Sequence, residues 1–165
     1  MKIEPLFSSY DFINFLILII FLTFFIFYFK IKLFDCLFLY FHIFIFFLFH
    51  PFIVTESVYP DISYYLINIE NLRENFLESS DQKRYQSIFY SLFPYIVKSY
   101  SSIGLMNLTT YFIIYFYLNH NKVFDIFTKL IFFVLPSLFL YSSISLKEMM
   151  VFLFFIISMH QLIIK

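Results

Sequence analysis

Glycine and cysteine each occur once in 165 residues, and tryptophan and alanine do not occur at all. A single glycine, Gly104, cannot build a phosphate-cradling loop or the strained elbow of an acyl-transfer serine. Cys36 alone permits neither an internal disulfide nor a cysteine metal site. The missing alanine argues against a small-residue cleavage site, and the first apolar run outlasts the roughly 7 to 15 residues of a signal-peptide core. The 11 basic residues are scattered and matched by 11 acidic ones, which leaves no basic footprint for nucleic acid. Nucleic acid is therefore not an expected partner.

Charge is also scarce over long stretches. Between Phe12 and Val54 only Lys30, Lys32, Asp35 and the histidines His42 and His50 can carry it. About twenty consecutive apolar residues cross a bilayer as a helix, so a run twice that long with one polar break reads as two spans. The chain is 62% hydrophobic, with 29 Phe and 14 Tyr, which is more apolar surface than a soluble domain buries. Lipid is the natural solvent for such a chain, and an integral membrane protein is expected. The abundance of Phe, Ile, Asn and Lys looks like AT-rich coding, so the wealth of rings says little about function.

The expected fold is all-α: a polytopic transmembrane helical bundle of about five spans. The spans read as 12–29, 36–54, 103–118, 126–142 and 149–164, forming one membrane domain over 1–165. Helices are favoured over barrel strands because lipid leaves backbone groups no water to bond and the apolar runs do not alternate. The linkers 30–35 and 119–125 are short enough to make antiparallel hairpins. The one long polar stretch, 55–102, holds six acidic and four basic residues. Within it Leu66, Ile69, Leu72 or Arg73, and Phe76 recur at helical spacing, which predicts an amphipathic helix. Ser79 and Gln82 match a capping box that would start a second helix around Tyr85, with Ile88, Phe89, Leu92 and Phe93 inward until Pro94. Both helices could lie on the membrane surface, or they could be the solvated faces of an ordinary connecting loop.

Parity of crossings puts the loop 55–102 and the turn 142–148 on one side of the bilayer. Lysines and arginines divide almost evenly between the two sides, with a mild preference for placing the net-acidic loop outside.

Four places could carry chemistry. The segment from Leu135 to Glu148 combines Pro136, which frees backbone carbonyls, with Ser142, Ser143 and the pair Lys147-Glu148. A lysine there could hold a phosphate as a point charge, or the segment could be a kinked helix ending in a snorkelling turn. Asp61, in Tyr59-Pro-Asp-Ile-Ser-Tyr-Tyr65, is a carboxylate beside rings at a membrane rim, suited to act as a base. It could equally be a Pro-Asp turn next to an aromatic belt. His42 and His50 stand eight residues apart, about 80 degrees round the helix, without the close spacing a metal needs. Neither metal nor cofactor is expected. Asn107, at membrane depth, suggests an interhelical hydrogen bond.

Together these residues resemble membrane glycosyltransferases of the GT-C kind and the related polymerases that assemble bacterial surface polysaccharides from lipid-linked sugars. Asp61 with Tyr64 and Tyr65 resembles the Asp-Tyr opening of an extracytoplasmic loop. Ile103-Gly-Leu-Met-Asn-Leu108 resembles a following span that carries an Asn. Pro136-Ser137, Phe139, Ser142-Ser143 and Lys147-Glu148 resemble a third motif, from which a Trp and a Gly are missing at Tyr141 and Ile144. The likeness runs from about Val54 to the end, and since such enzymes have about twice as many spans, the chain looks like an N-terminal half.

The resemblance implies a bacterial inner-membrane location and an extracytoplasmic loop 55–102. It implies Asp61 as catalytic base, with Tyr64, Tyr65, Asn107, Ser142, Ser143, Lys147 and Glu148 as substrate-binding residues. The partners implied are membrane lipid and a polyprenyl-phosphate-linked glycan. The alternative is a small non-catalytic structural subunit of a membrane complex, held among other membrane subunits.

Overall fold

The computed structural model describes residues 9–53, 62–74, 85–134 and 146–164; the side chains of 49–53, 62 and 146–148 lie outside that description. Among the described residues the secondary structure is helical throughout, with no strand. The helices are α1 (Ser9–Tyr28), α2 (Leu33–Ile53), α3 (Ile62–Glu74), α4 (Tyr85–Ser91), α5 (Tyr100–His120), α6 (Ile126–Val134) and α7 (Leu146–Ile164). The apolar runs thus begin α1, α2, α5 and α7 three residues earlier than the sequence suggests. Among the described residues two helices are long and apolar enough to cross a membrane, Ser9–Tyr28 and Tyr100–His120, while Leu33–Leu48 and Met149–Ile164 are apolar but shorter.

The helix α5 is the central post. It packs against α1, α2, α3 and α7, and 83% of its most apolar stretch is enclosed against 22% for α1, which makes α1 an outer helix. Burial does not make α5 uniformly apolar. Ser101, Ser102, Asn107, Thr109 and Thr110 are all buried on it. Thr109 and Thr110 return their hydroxyls to the carbonyls of Leu105 and Met106, at 2.8 and 2.9 Å, which satisfies them without a second helix. The outward faces show the converse, since Phe12, Ile20, Phe24 and Phe27 on α1 and Phe34, Leu37 and Phe44 on α2 are exposed.

Both short hairpins close in the same way. After α1, Lys30 takes φ 50°, its N–H bonds to the Phe27 carbonyl, and the Ile31 N–H reaches back to Ile26 at 3.0 Å. After α5, Lys122 takes φ 55°, its N–H bonds to Asn119, and the Val123 N–H reaches Leu118 at 3.0 Å. Each is a Schellman closure in which a lysine holds the left-handed position that glycine usually fills. With its one glycine inside α5, the chain accepts the cost of a Cβ there, about 1 to 2 kcal/mol per residue.

The first hairpin also ends sooner than the charges suggest. Asp35 is inside α2 and buried, because it has partners: Lys129 of α6 at 2.7 Å and the Tyr115 hydroxyl of α5 at 2.8 Å. Further along the same seam His42 Nδ1 lies 2.8 Å from the Phe38 carbonyl and its Nε2 3.0 Å from the Tyr111 hydroxyl, which donates to the Phe132 carbonyl.

In the polar stretch, α3 follows the predicted amphipathic pattern, with Leu66, Ile69 and Leu72 buried. The capping pair Ser79 and Gln82 and the anchor Phe76 lie outside the described residues. α4 begins at Tyr85 as expected, but its inward face differs. Ser87 and Tyr90 are buried on it, and Leu92 is 79% exposed. The helix stops at Ser91, so Leu92 and Phe93 belong to a turn rather than to one helical face, and of the two only Phe93 is buried as expected.

Candidate functional site

The polar end of the bundle is organised by one non-helical segment, 92–99, that runs between α4 and α5. Pro94 ends any helix there and leaves carbonyls without partners. Arg73, in the last turn of α3, supplies them: its Nε donates to the Ser91 carbonyl at 3.1 Å, one terminal nitrogen to Tyr95 at 2.6 Å and the other to Phe93. A planar guanidinium suits three divergent acceptors, which an ammonium would not match. Partial burial lowers the affinity of Arg73 for its proton, and the neighbouring Glu70 opposes that shift.

From the other side α1 holds the same segment. Asn14 pairs its side-chain amide with the Ile96 backbone in both directions, donating at 2.9 Å and accepting at 2.7 Å. Asp11, one turn earlier and only 2% exposed, accepts from the Ser99 hydroxyl with both oxygens at 2.7 Å. Ser99 is the residue before α5, and its hydroxyl is spent on Asp11 rather than on capping that helix. The buried carboxylate therefore sits in the first turn of α1 and against the start of α5, two helix ends whose dipoles favour negative charge.

Two further ties complete the frame. Glu70 of α3 pairs with Lys98 at 2.9 Å, and that hydrogen bond raises the Lys98 pKa. The Ser63 and Tyr100 hydroxyls lie 3.0 Å apart and join the start of α3 to the start of α5. Inside, the Tyr95 hydroxyl meets Thr109 at 2.5 Å, and its burial pushes its pKa up. The result is a rigid floor beside the start of α3.

The predicted site residues stand around this floor unequally. Tyr64 and Tyr65 are on the first turn of α3 with rings 6.2 Å apart, and Tyr65 packs on the core while Tyr64 is at the surface. Asn107 is fully buried midway along α5 and accepts a hydrogen bond from Tyr90 at 2.6 Å, the interhelical contact its depth suggests. Its Nδ2 has no hydrogen-bond partner among the described residues, and neither have Asn68 Nδ2 and Ser87 Oγ. Asp61, Ser142 and Ser143 lie outside the described residues, as do the side chains of Lys147 and Glu148, whose backbone opens α7. Tyr64 and Tyr65 thus share α3 with Arg73 and Glu70 of the floor, and Asn107 lies within the bundle.

The residues that build the floor, Asp11, Asn14, Arg73 and Ser99, have no motif around them in the sequence. A faint signal existed for two: an acid and an amide three residues apart at the mouth of an apolar run. Among the described residues no three His, Cys, Asp or Glu side chains gather closely enough to hold a metal ion. No family model, curated protein or solved structure matches this chain.

Proposed function

We propose that the chain is a polytopic helical membrane protein of about five crossings, glycosyltransferase-like or polysaccharide-polymerase-like, that acts on a polyprenyl-phosphate-linked sugar. The membrane part of this reading draws on an inversion of the usual soluble pattern. Buried α5 carries serines, threonines and an asparagine, while α1 and α2 turn phenylalanines and leucines outward, as helices do when lipid is the solvent. Of the five expected spans, the first and third hold α1 and α5, which are long and apolar enough to cross a membrane; α2 and α7 supply shorter apolar stretches to the second and fifth, α6 covers only 126–134 of the fourth, and α3 and α4 fall in the polar stretch between the second and third.

For the chemistry, the supporting observation is the braced floor next to α3. Asp61 immediately precedes that helix in sequence, and the helix is fixed at its far end by Arg73 and Glu70 and at its near end by Ser63. A general base works only if it is held in reach of its proton. Asp61 would take the acceptor hydroxyl proton as the acceptor oxygen bonds to the anomeric carbon. The bond from that carbon to the phosphate oxygen would break, and the polyprenyl phosphate would leave with the electron pair. Lys147 and Glu148 would organise the phosphate end, with Ser142, Ser143, Tyr64 and Tyr65 lining the path of the sugars and buried Asn107, bonded to Tyr90, contributing from behind them. The extracytoplasmic face of a bacterial inner membrane is the proposed setting.

A second reading, the non-catalytic subunit, draws on the same exposed flanks of α1 and α2, which partner helices would cover as readily as lipid. Membranes containing the chain, supplied with polyprenyl-phosphate-linked sugar, decide between them. Transfer by the wild type and its loss in Asp61→Asn supports the enzyme. Absence of transfer together with a stoichiometric co-purifying membrane protein supports the subunit, and transfer undiminished in Asp61→Asn removes the aspartate from the mechanism.

A further inference from the structure

At the end of the bundle away from the floor, the two Schellman-closed hairpins bracket a cavity of about 380 Å³, within the range of about 300 to 1,000 Å³ typical of small-molecule clefts. Its polar lining is Lys32, Asp35, Asp125 and Lys129, and its apolar walls include Phe34 and Phe124. Charge pairing reduces that set to two. Lys129 and Asp35 are 2.7 Å apart and neutralise each other, and Lys129 is further held by Asn119 at 3.3 Å. Lys32 remains exposed with no carboxylate partner among the described residues, and Asp125 bonds only neutral groups of its own turn, the Thr128 backbone N–H at 2.6 Å and the Thr128 hydroxyl at 2.7 Å.

One cation without an anionic partner and one carboxylate without a cationic partner, both judged among the described residues, thus share a cavity. Beside it stand exposed apolar side chains, Leu33, Phe34, Ile126 and Phe127, at the ends of apolar helices. We propose that this cavity seats the headgroup of a zwitterionic phospholipid with a primary amine, its phosphate on Lys32 and its ammonium on Asp125, with the acyl chains along the apolar flank. An ethanolamine-type headgroup fits better than a choline one, because its ammonium donates hydrogen bonds to a carboxylate and a trimethylammonium cannot. An anionic headgroup would satisfy Lys32 and leave Asp125 repelled. This assignment rests on the membrane placement proposed above and not on sugar transfer.

The test uses the full chain purified in mixed micelles containing equal amounts of ethanolamine, choline and glycerol phospholipids with identical acyl chains. Retained lipid is counted by mass spectrometry. The ethanolamine lipid is expected to be enriched about fivefold over each of the others, the effect of roughly 1 kcal/mol of added charge-assisted bonding. Lys32→Gln and Asp125→Asn should each abolish that preference, and Lys32→Arg should keep it. Asparagine still caps a helix, so Asp125→Asn removes charge without removing the turn. Equal retention of the three lipids, enrichment of the glycerol lipid, or a preference that survives Lys32→Gln and Asp125→Asn overturns the assignment. Soluble glycerophosphoethanolamine binding while the lipids show no preference also overturns it, in favour of a free metabolite. Release of the chain from membranes by alkaline wash would remove the membrane placement itself, an outcome separate from headgroup choice.

Discussion

Lys129 on α6 and Asp35 on α2 meet at 2.7 Å across 94 residues of sequence, and the Tyr115 hydroxyl of α5 donates to the same carboxylate oxygen. Three helices are thereby tied at one buried acid. Asp35 is 6% exposed and Lys129 20%, so loss of either partner leaves the other charge at most partly hydrated.

Asp35→Asn should therefore destabilise the bundle by about 3 kcal/mol, the low end for breaking a buried pair because Lys129 keeps some solvent. Removing both charges with Asp35→Asn and Lys129→Met should recover most of that loss. Equilibrium unfolding in mixed micelles of the two single variants and the double variant measures the coupling. Additive losses would mean that the pair does not act as a unit.

Lys30 and Lys122 hold left-handed backbone at φ 50° and 55°. Glycine at either site should stabilise by roughly 0.5 to 1 kcal/mol, the relief of the Cβ clash less the added freedom of the unfolded chain. Neither Lys30 nor Lys122 lines the cavity, so both variants report on the turn alone. A fall in unfolding midpoint would show that the lysine side chain contributes more than its backbone strain costs.

Asp125 caps α6 by accepting from the Thr128 backbone N–H, and this bond, with the Thr128 hydroxyl, holds its carboxyl below the ordinary value of 3.8. A depressed pKa adds stability above pH 3.8 that is lost as pH falls through the lowered value in the folded chain. The advantage of wild type over Asp125→Asn in melting temperature should shrink between pH 5 and pH 3. A constant or widening gap would show that the carboxylate charge is not what the cap uses.

Much of the helical layout was legible because apolar runs announce themselves, and α3 was legible because Leu66, Ile69 and Leu72 keep helical period. What escaped were contacts between distant segments. Asp35 read as a solvated linker charge because its partner Lys129 is far along the chain, and no local spacing reveals that pairing. Asp11, Asn14 and Arg73 are ordinary polar residues until the segment 92–99 is folded against them. α4 was misjudged on one face for a local reason: Leu92 was counted as helical, yet the helix ends at Ser91. The proposed catalytic and phosphate-organising side chains, Asp61, Lys147 and Glu148, lie outside the described residues, so that part of the site still stands on sequence.

The most direct test concerns sidedness. With Cys36→Ser as background, Asp61→Cys and Lys147→Cys are each introduced singly and labelled in sealed membrane vesicles with an impermeant thiol reagent, and Asn121→Cys serves as the opposite-face reference. Positions 61 and 147 are predicted to react from one compartment and position 121 from the other. Labelling of 61 and 147 from opposite compartments would contradict the account, because one aqueous site could not then contain both the base and the phosphate-organising turn.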